Sequence, residues 1–210
     1  MKVNLREILL LVLALVPVAQ LYYLWSSIPD TIPVHYGIDG KADRFGGKET
    51  LLWLVPIVML LFYGILAIAP LIDPKKRITY SQGGYYTIRL ASMIFLCIIF
   101  VSYLLSLTGD WDFSRSVPLV IMGFIVVLGN YLPIIKPNYF IGVRTPWTLE
   151  SEEVWTKTHR FSGRLWVAGG LFGFALQILW PTLPSLTSVG IIMVLAISSI
   201  AYSYNVYRAK

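Results

Sequence analysis

Six uncharged apolar runs decide what this chain can become. They cover residues 8–25, 51–72, 90–107, 117–135, 165–180 and 186–207. Each approaches the roughly 20 helical residues that cross a hydrocarbon core about 30 Å thick. None holds Asp, Glu, Lys or Arg, and one Asp, Lys or Arg at mid-span would cost about 2.5–3.5 kcal/mol on insertion scales. Charged residues make up 13% of the chain and hydrophobic ones 57%, whereas a soluble domain carries about 25% charged. The expected fold is an all-α integral membrane protein with six transmembrane helices. The last two runs are parted by "WPTLPS", whose two prolines mark a turn. The first run has the look of a signal peptide. It ends in Tyr22, Tyr23, Leu24 and Trp25 with no small-x-small cleavage site, so it reads as a retained span with aromatics at the membrane interface.

An even number of spans returns the C-terminus to the side of the N-terminus. The connections and tails on that side hold thirteen of the seventeen Lys and Arg, leaving Lys41, Arg44, Lys48 and Arg115 on the other. Basic connections stay in the cytoplasm. Both termini and the loop at 133–164 are therefore expected inside, and the loop at 27–50 outside. The chain divides into a two-span hairpin, 1–72, and a four-span unit, 73–210, with "DPKKRITYSQGG" at the boundary. The formal charge of +6 is spread between spans and not gathered in one arm, which argues against a nucleic-acid partner. The single cysteine, Cys97, lies in an apolar run and reads as a core residue. Gly169 and Gly173 form a GxxxG pair, a candidate seam for close helix packing or a homo-oligomer.

The outer loop, "SSIPDTIPVHYGIDGKADRFGGKET", is dense in turn residues and carries four acids and three bases. Asp39-Gly40 is placed to close a small hairpin after a strand bearing Ile32, Val34 and Tyr36. His35, Asp39 and Asp43 lack any recognised metal-ligand spacing, so His35 is expected to hydrogen-bond within a folded loop.

The inner loop is a polar island. Residues 136–160, "KPNYFIGVRTPWTLESEEVWTKTHR", hold seven of the chain's charges. Pro133 and Pro137 limit regular helix there. Gly142 permits backbone closed to bulkier residues, and Pro146 pushes Thr145 toward extended geometry. "TLESEEVW" reads as a helix start, capped by Thr148 or Ser151, with Glu150, Glu152 and Glu153 near the positive end of the dipole. Trp155 and His159 lie four apart and share a face. Two readings stay open. In one, Arg144, His159 and Trp155 line a polar pocket as cation, titratable group and aromatic wall. In the other, Trp147 and Trp155 anchor an interfacial helix, and Arg144 bonds loop carbonyls or Glu152. A base with its orienter, His159 with Glu152 or Glu153, is conceivable, but no metalloprotease, hydrolase-elbow or phosphate-loop motif is present.

Together the two loops resemble the SdpI family of bacterial membrane proteins. "IPVHYGIDGKADRFGGK" is similar to the family's small N-terminal domain of unknown function, through Ile32, Pro33, His35, Gly40, Asp43 and Lys48. "GNYLPIIKPNYFIGVRTPWTLESEEVWTKTHRFSG" is similar to its most recognisable segment. That segment is carried here by Gly129, Asn130, Pro137, Asn138, Gly142, Arg144, Thr145, Trp147, Thr148, Leu149, Trp155, Thr158, His159 and Gly163. The resemblance implies a multi-pass plasma-membrane protein that protects a bacterium from a secreted, membrane-active killing peptide of the sporulation-delaying type. It also implies a receptor arm that holds a cytoplasmic transcriptional repressor at the membrane. The residues it marks for ligand or partner binding are Asn130, Asn138, Gly142, Arg144, Thr145, Trp147, Thr148, Trp155 and His159 inside, with His35, Gly40 and Asp43 outside. No catalytic residue, cofactor or metal is expected. The partners expected are membrane lipid, the toxin and the repressor. The alternatives are a membrane hydrolase built on His159, Glu152 and Arg144, or a small-solute or lipid transporter.

Overall fold

The structure is a computed structural model, and it describes residues 4–37, 40–74, 83–109 and 111–209. Among these residues six helices are long and apolar enough to cross a membrane. They are α1 (Leu5–Leu24), α2 (Thr50–Ile72), α3 (Gly83–Leu107), α4 (Phe113–Tyr131), α6 (Glu152–Leu179) and α7 (Leu186–Arg208), while α5 (Pro146–Glu150) is a short turn of helix before α6. The chain is thus an all-α multi-pass membrane protein. Among the described residues its only strands are β1 (Thr31–Tyr36) and β2 (Ala42–Gly47), paired antiparallel between α1 and α2.

Two apolar cores hold the bundle. One gathers Leu10, Ala14 and Leu21 of α1, Val55 and Met59 of α2, and Met93, Cys97 and Leu104 of α3. The other gathers Met122 and Ile125 of α4 with Leu195 of α7 and partly buried Trp166 of α6. Helix α3 therefore shares its core with the two-helix hairpin, while α4 packs mainly along α6. The α4–α6 crossing is close because two glycines face it. A Cβ on Gly129 would stand 3.0 Å from the Gly163 carbonyl oxygen, and one on Gly163 2.7 Å from the Gly129 carbonyl oxygen. Polar groups in the spans find partners across helices: Gln177 donates to Ser188 at 3.2 Å, and the Trp166 indole to Ser199 at 3.0 Å.

Gly169 and Gly173 serve close helix packing, the first of the two roles expected of them. Gly169 faces Leu195 of α7, and Gly173 faces Met122 of α4 and Ile191 of α7. Both glycines thus let α6 approach its neighbours within the chain. Arg89, counted with the connection before the third span, instead lies inside α3 and is 1% exposed.

The outer loop folds as a hairpin fixed to the bundle. The Tyr36 ring meets Phe113 at 5.4 Å, and Tyr103 meets Phe113 edge-on at 5.3 Å. The Tyr103 hydroxyl donates to the Pro33 carbonyl at 2.5 Å, and Ser114 to the Gly40 carbonyl at 2.6 Å. Lys48 closes the base, bonding the Ile28 carbonyl at 3.0 Å and Asp30 at 2.9 Å. The strand expected to bear Ile32, Val34 and Tyr36 forms as β1, but the three do not share one environment. Ile32 is buried and Tyr36 half-buried, but Val34 is exposed. Register shifts on both sides of His35 break the alternation, as an inserted residue does in any pleated pair. Gly40 turns with φ +78°; Asp39 lies outside the described residues.

Candidate functional site

The island is built from the end of α4 onward. Pro133 tightens the chain into a short 3-10 turn, Leu132–Ile134. Asn138, buried, then organises the following loop. Its side-chain carbonyl accepts from the Phe140 and Ile141 N–H groups, each at 2.8 Å, and its amide donates to the Lys136 carbonyl at 2.8 Å. The amide also donates to the Ile141 carbonyl at 3.2 Å, so one side chain satisfies four backbone groups that a loop would otherwise leave unpaired. The loop reaches across the bundle, where Phe140 and Ile141 pack on Ala69 of α2 and Tyr85 of α3.

Gly142 follows with φ +114°, a left-handed geometry that glycine adopts without strain. A second constraint acts on the same residue, because a Cβ there would run into Nε2 of His159. The His159 ring is 0% exposed and stacks on Trp155 at 4.0 Å. Its Nε2 accepts the Val143 N–H at 3.1 Å, while Nδ1 lies 2.8 Å from the Trp155 carbonyl. A carbonyl only accepts and an N–H only donates, so the bonds assign the proton to Nδ1 and leave the ring neutral. Trp155, 1% exposed, donates its indole N–H to the Ile135 carbonyl at 2.7 Å. Trp155 is therefore a core residue of the island and not an interfacial anchor.

Thr145 caps α5 in a reciprocal box with Thr148, whose hydroxyl accepts the Thr145 N–H at 2.8 Å. Of the two caps expected for the helix start, Ser151 serves α6 by accepting from Val154 N–H at 3.4 Å. Thr148 is instead the third residue of α5. Trp147 ties α5 to α7, donating to Ser203 at 2.7 Å beside the rings of Tyr204 and Tyr207.

The structure thus brings Asn138, Gly142, Thr145, Thr148, Trp155 and His159 into one buried, hydrogen-bonded unit. It places two residues elsewhere. Arg144 is exposed and donates to the Tyr139 carbonyl at 2.6 Å, and Asn130 is exposed at the end of α4. His159 meets backbone through both nitrogens, so no carboxylate orients it and neither nitrogen is left for a metal. Outside, His35 Nδ1 and Asp43 Oδ1 lie 2.6 Å apart, both about half exposed, and tie β1 to β2. No group of three potential ligands gathers around a metal site among the described residues.

One polar constellation escaped the sequence reading. Arg89 grips Glu7 of α1 through two bonds, at 2.7 and 2.9 Å, and Tyr63 of α2 donates to the same carboxylate at 3.0 Å. The signal was present. Glu7 and Arg89 each stand directly before an apolar run, on the same side of the membrane.

The model of the SdpI/YfhL protein family matches residues 134–203, which span the island, α6 and most of α7. Over that stretch the chain is similar to the SdpI/YfhL family. A second match, to a domain of unknown function (DUF1648), covers residues 12–60, from α1 through the hairpin into α2. Over 212 aligned residues the chain is 26% identical to the Immunity protein SdpI of Bacillus subtilis (strain 168), covering 99% of this chain and 97% of that one. A 55-residue stretch is 40% identical to an uncharacterized protein of Archaeoglobus fulgidus, over 26% of this chain and 27% of the other. No solved structure matches it. The two matched segments each contain one of the two folded loops at opposite ends of the bundle.

Proposed function

We propose that this protein is an immunity protein of the SdpI family, protecting a cell from a secreted, membrane-active killing peptide. The observation that carries the reading is the end-to-end similarity to the Immunity protein SdpI. The fold is compatible with it: the outer hairpin is fixed by Tyr103, Phe113 and Ser114 and stands where a peptide arriving from outside would meet it. His35, Gly40 and Asp43 act in this reading by holding the hairpin's shape.

The receptor arm belongs to the inner face. A repressor would meet the exposed rim of the island, Lys136, Tyr139 and Arg144, while the buried residues beneath keep that rim rigid. No observation favours the hydrolase reading, because His159 is sealed and bonded to backbone on both nitrogens. The test is a killing curve. A toxin-sensitive bacterium expressing the chain is challenged with a sporulation-delaying-type peptide beside an empty-vector control. Raised survival is expected; coincident curves at verified membrane levels would refute immunity.

A further inference from the structure

A cavity of about 210 Å³ opens at the basic end of the bundle, lined by Asn4, Arg6, Glu7, Tyr85, Tyr86 and Arg89. Its charges are unequal. The Glu7 carboxylate is already bound twice by Arg89 and once by Tyr63. Arg6 is exposed, and its guanidinium sits 4.9 Å over the Tyr86 ring with no ion pair to any described carboxylate. Among the described lining residues two guanidiniums stand against one carboxylate. The flank of α1 beside it is apolar and uncovered, with Leu5, Ile8, Leu9 and Val12 exposed. A polar, cationic recess adjoining a bare apolar helix flank is the shape of an amphiphile with an anionic head.

We propose that this cavity binds a phosphodiester, held by Arg6 and the Asn4 amide, and that its source is an anionic phospholipid of the leaflet at the basic end. One phosphodiester charge balances the second of those guanidiniums. The acyl chains then lie along the flank of α1 where Leu5, Ile8, Leu9 and Val12 are exposed. An arginine fork suits phosphate oxygens, and basic recesses between spans on the cytoplasmic side are suited to acidic head groups. A zwitterionic head would place an ammonium beside Arg6 and Arg89, where the one carboxylate among the described lining residues, Glu7, is already bound.

The probe is a bilayer of phosphatidylglycerol and phosphatidylethanolamine in equal parts. Full-length protein is extracted from it and its retained lipids are weighed by native mass spectrometry. Wild type is expected to retain phosphatidylglycerol severalfold over phosphatidylethanolamine. Arg6→Gln, an exposed change that leaves the Glu7–Arg89 pair intact, is expected to fall to the bulk ratio. Arg208→Gln, which removes another exposed arginine at the same end, is expected to keep the wild-type ratio. Loss of the retained lipid on adding millimolar inorganic phosphate would keep the anion site but overturn lipid as its source. Equal retention of the two lipids by wild type, an unchanged ratio in Arg6→Gln, or an equal loss in Arg208→Gln would overturn the proposal.

Discussion

At the residue scale the island is governed by one glycine and one histidine. Gly142 lacks a side chain because its φ of +114° and the ring of His159 both exclude one. Gly142→Ala is expected to cost about 2 kcal/mol or more, from backbone strain and the displaced ring. A clear drop in the thermal unfolding midpoint in detergent, followed by fluorescence-detected size exclusion, checks this; an unchanged midpoint contradicts it. The His159 bonds predict a neutral ring protonated at Nδ1 at pH 7. Nitrogen-15 spectra of histidine-labelled protein in a bilayer report that tautomer directly, and an imidazolium signal would sink the assignment. The sequence made the shared face of Trp155 and His159 legible, since helical spacing sets it. It did not reveal that the Val143 N–H completes the ring's bonding, because that contact joins a loop to a helix sixteen residues away.

At the element scale the helices were legible and their joints were not. Apolar length alone marks six spans, and Ser151 before two glutamates marks the start of α6. The Glu7–Arg89 bond joins residues 82 apart in the chain, and a charge directly before each apolar run does not by itself say that the two meet. Removing one partner from a buried pair strands the other, a loss of about 3–5 kcal/mol, whereas removing both is far milder. Arg89→Leu is therefore expected to unfold in detergent titration well before Glu7→Leu/Arg89→Leu. A double variant as unstable as the sum of the two singles would show that the pair is not coupled. The hairpin depends on its aromatic seat. Phe113→Ala removes the ring that both Tyr36 and Tyr103 touch, so hydrogen exchange across Thr31–Tyr36 should speed up by an order of magnitude or more. Exchange as slow as wild type would show the hairpin to be held by other contacts. The exposure of Val34 belongs to this scale too, because a register shift is a property of two strands together and strand alternation describes only one.

At the scale of the whole molecule, two folded loops sit at opposite ends of a six-helix bundle, and the island fastens the ends of α2 and α3 to the α4–α6–α7 core through Phe140 and Ile141. The excess of Lys and Arg at the island's end predicts that this end faces the cytoplasm. A membrane-impermeant thiol reagent on intact cells should therefore label a cysteine placed at Asp43 and spare one placed at Arg144; the opposite pattern would invert the topology. Most of the island's marked residues are buried supports, which no reading of residue types could establish, since Asn138 and Thr148 look like any polar loop residues until their bonds are seen. The central claim, protection from a secreted membrane-active peptide, is tested most directly by survival of a toxin-sensitive bacterium carrying wild type, Arg144→Ala or Gly142→Ala, with membrane levels measured in each. The account predicts full protection by wild type and by Arg144→Ala, with Gly142→Ala protecting only in proportion to the folded protein that reaches the membrane. Cells that hold abundant wild-type protein in the membrane and still die at the rate of the empty vector would contradict it.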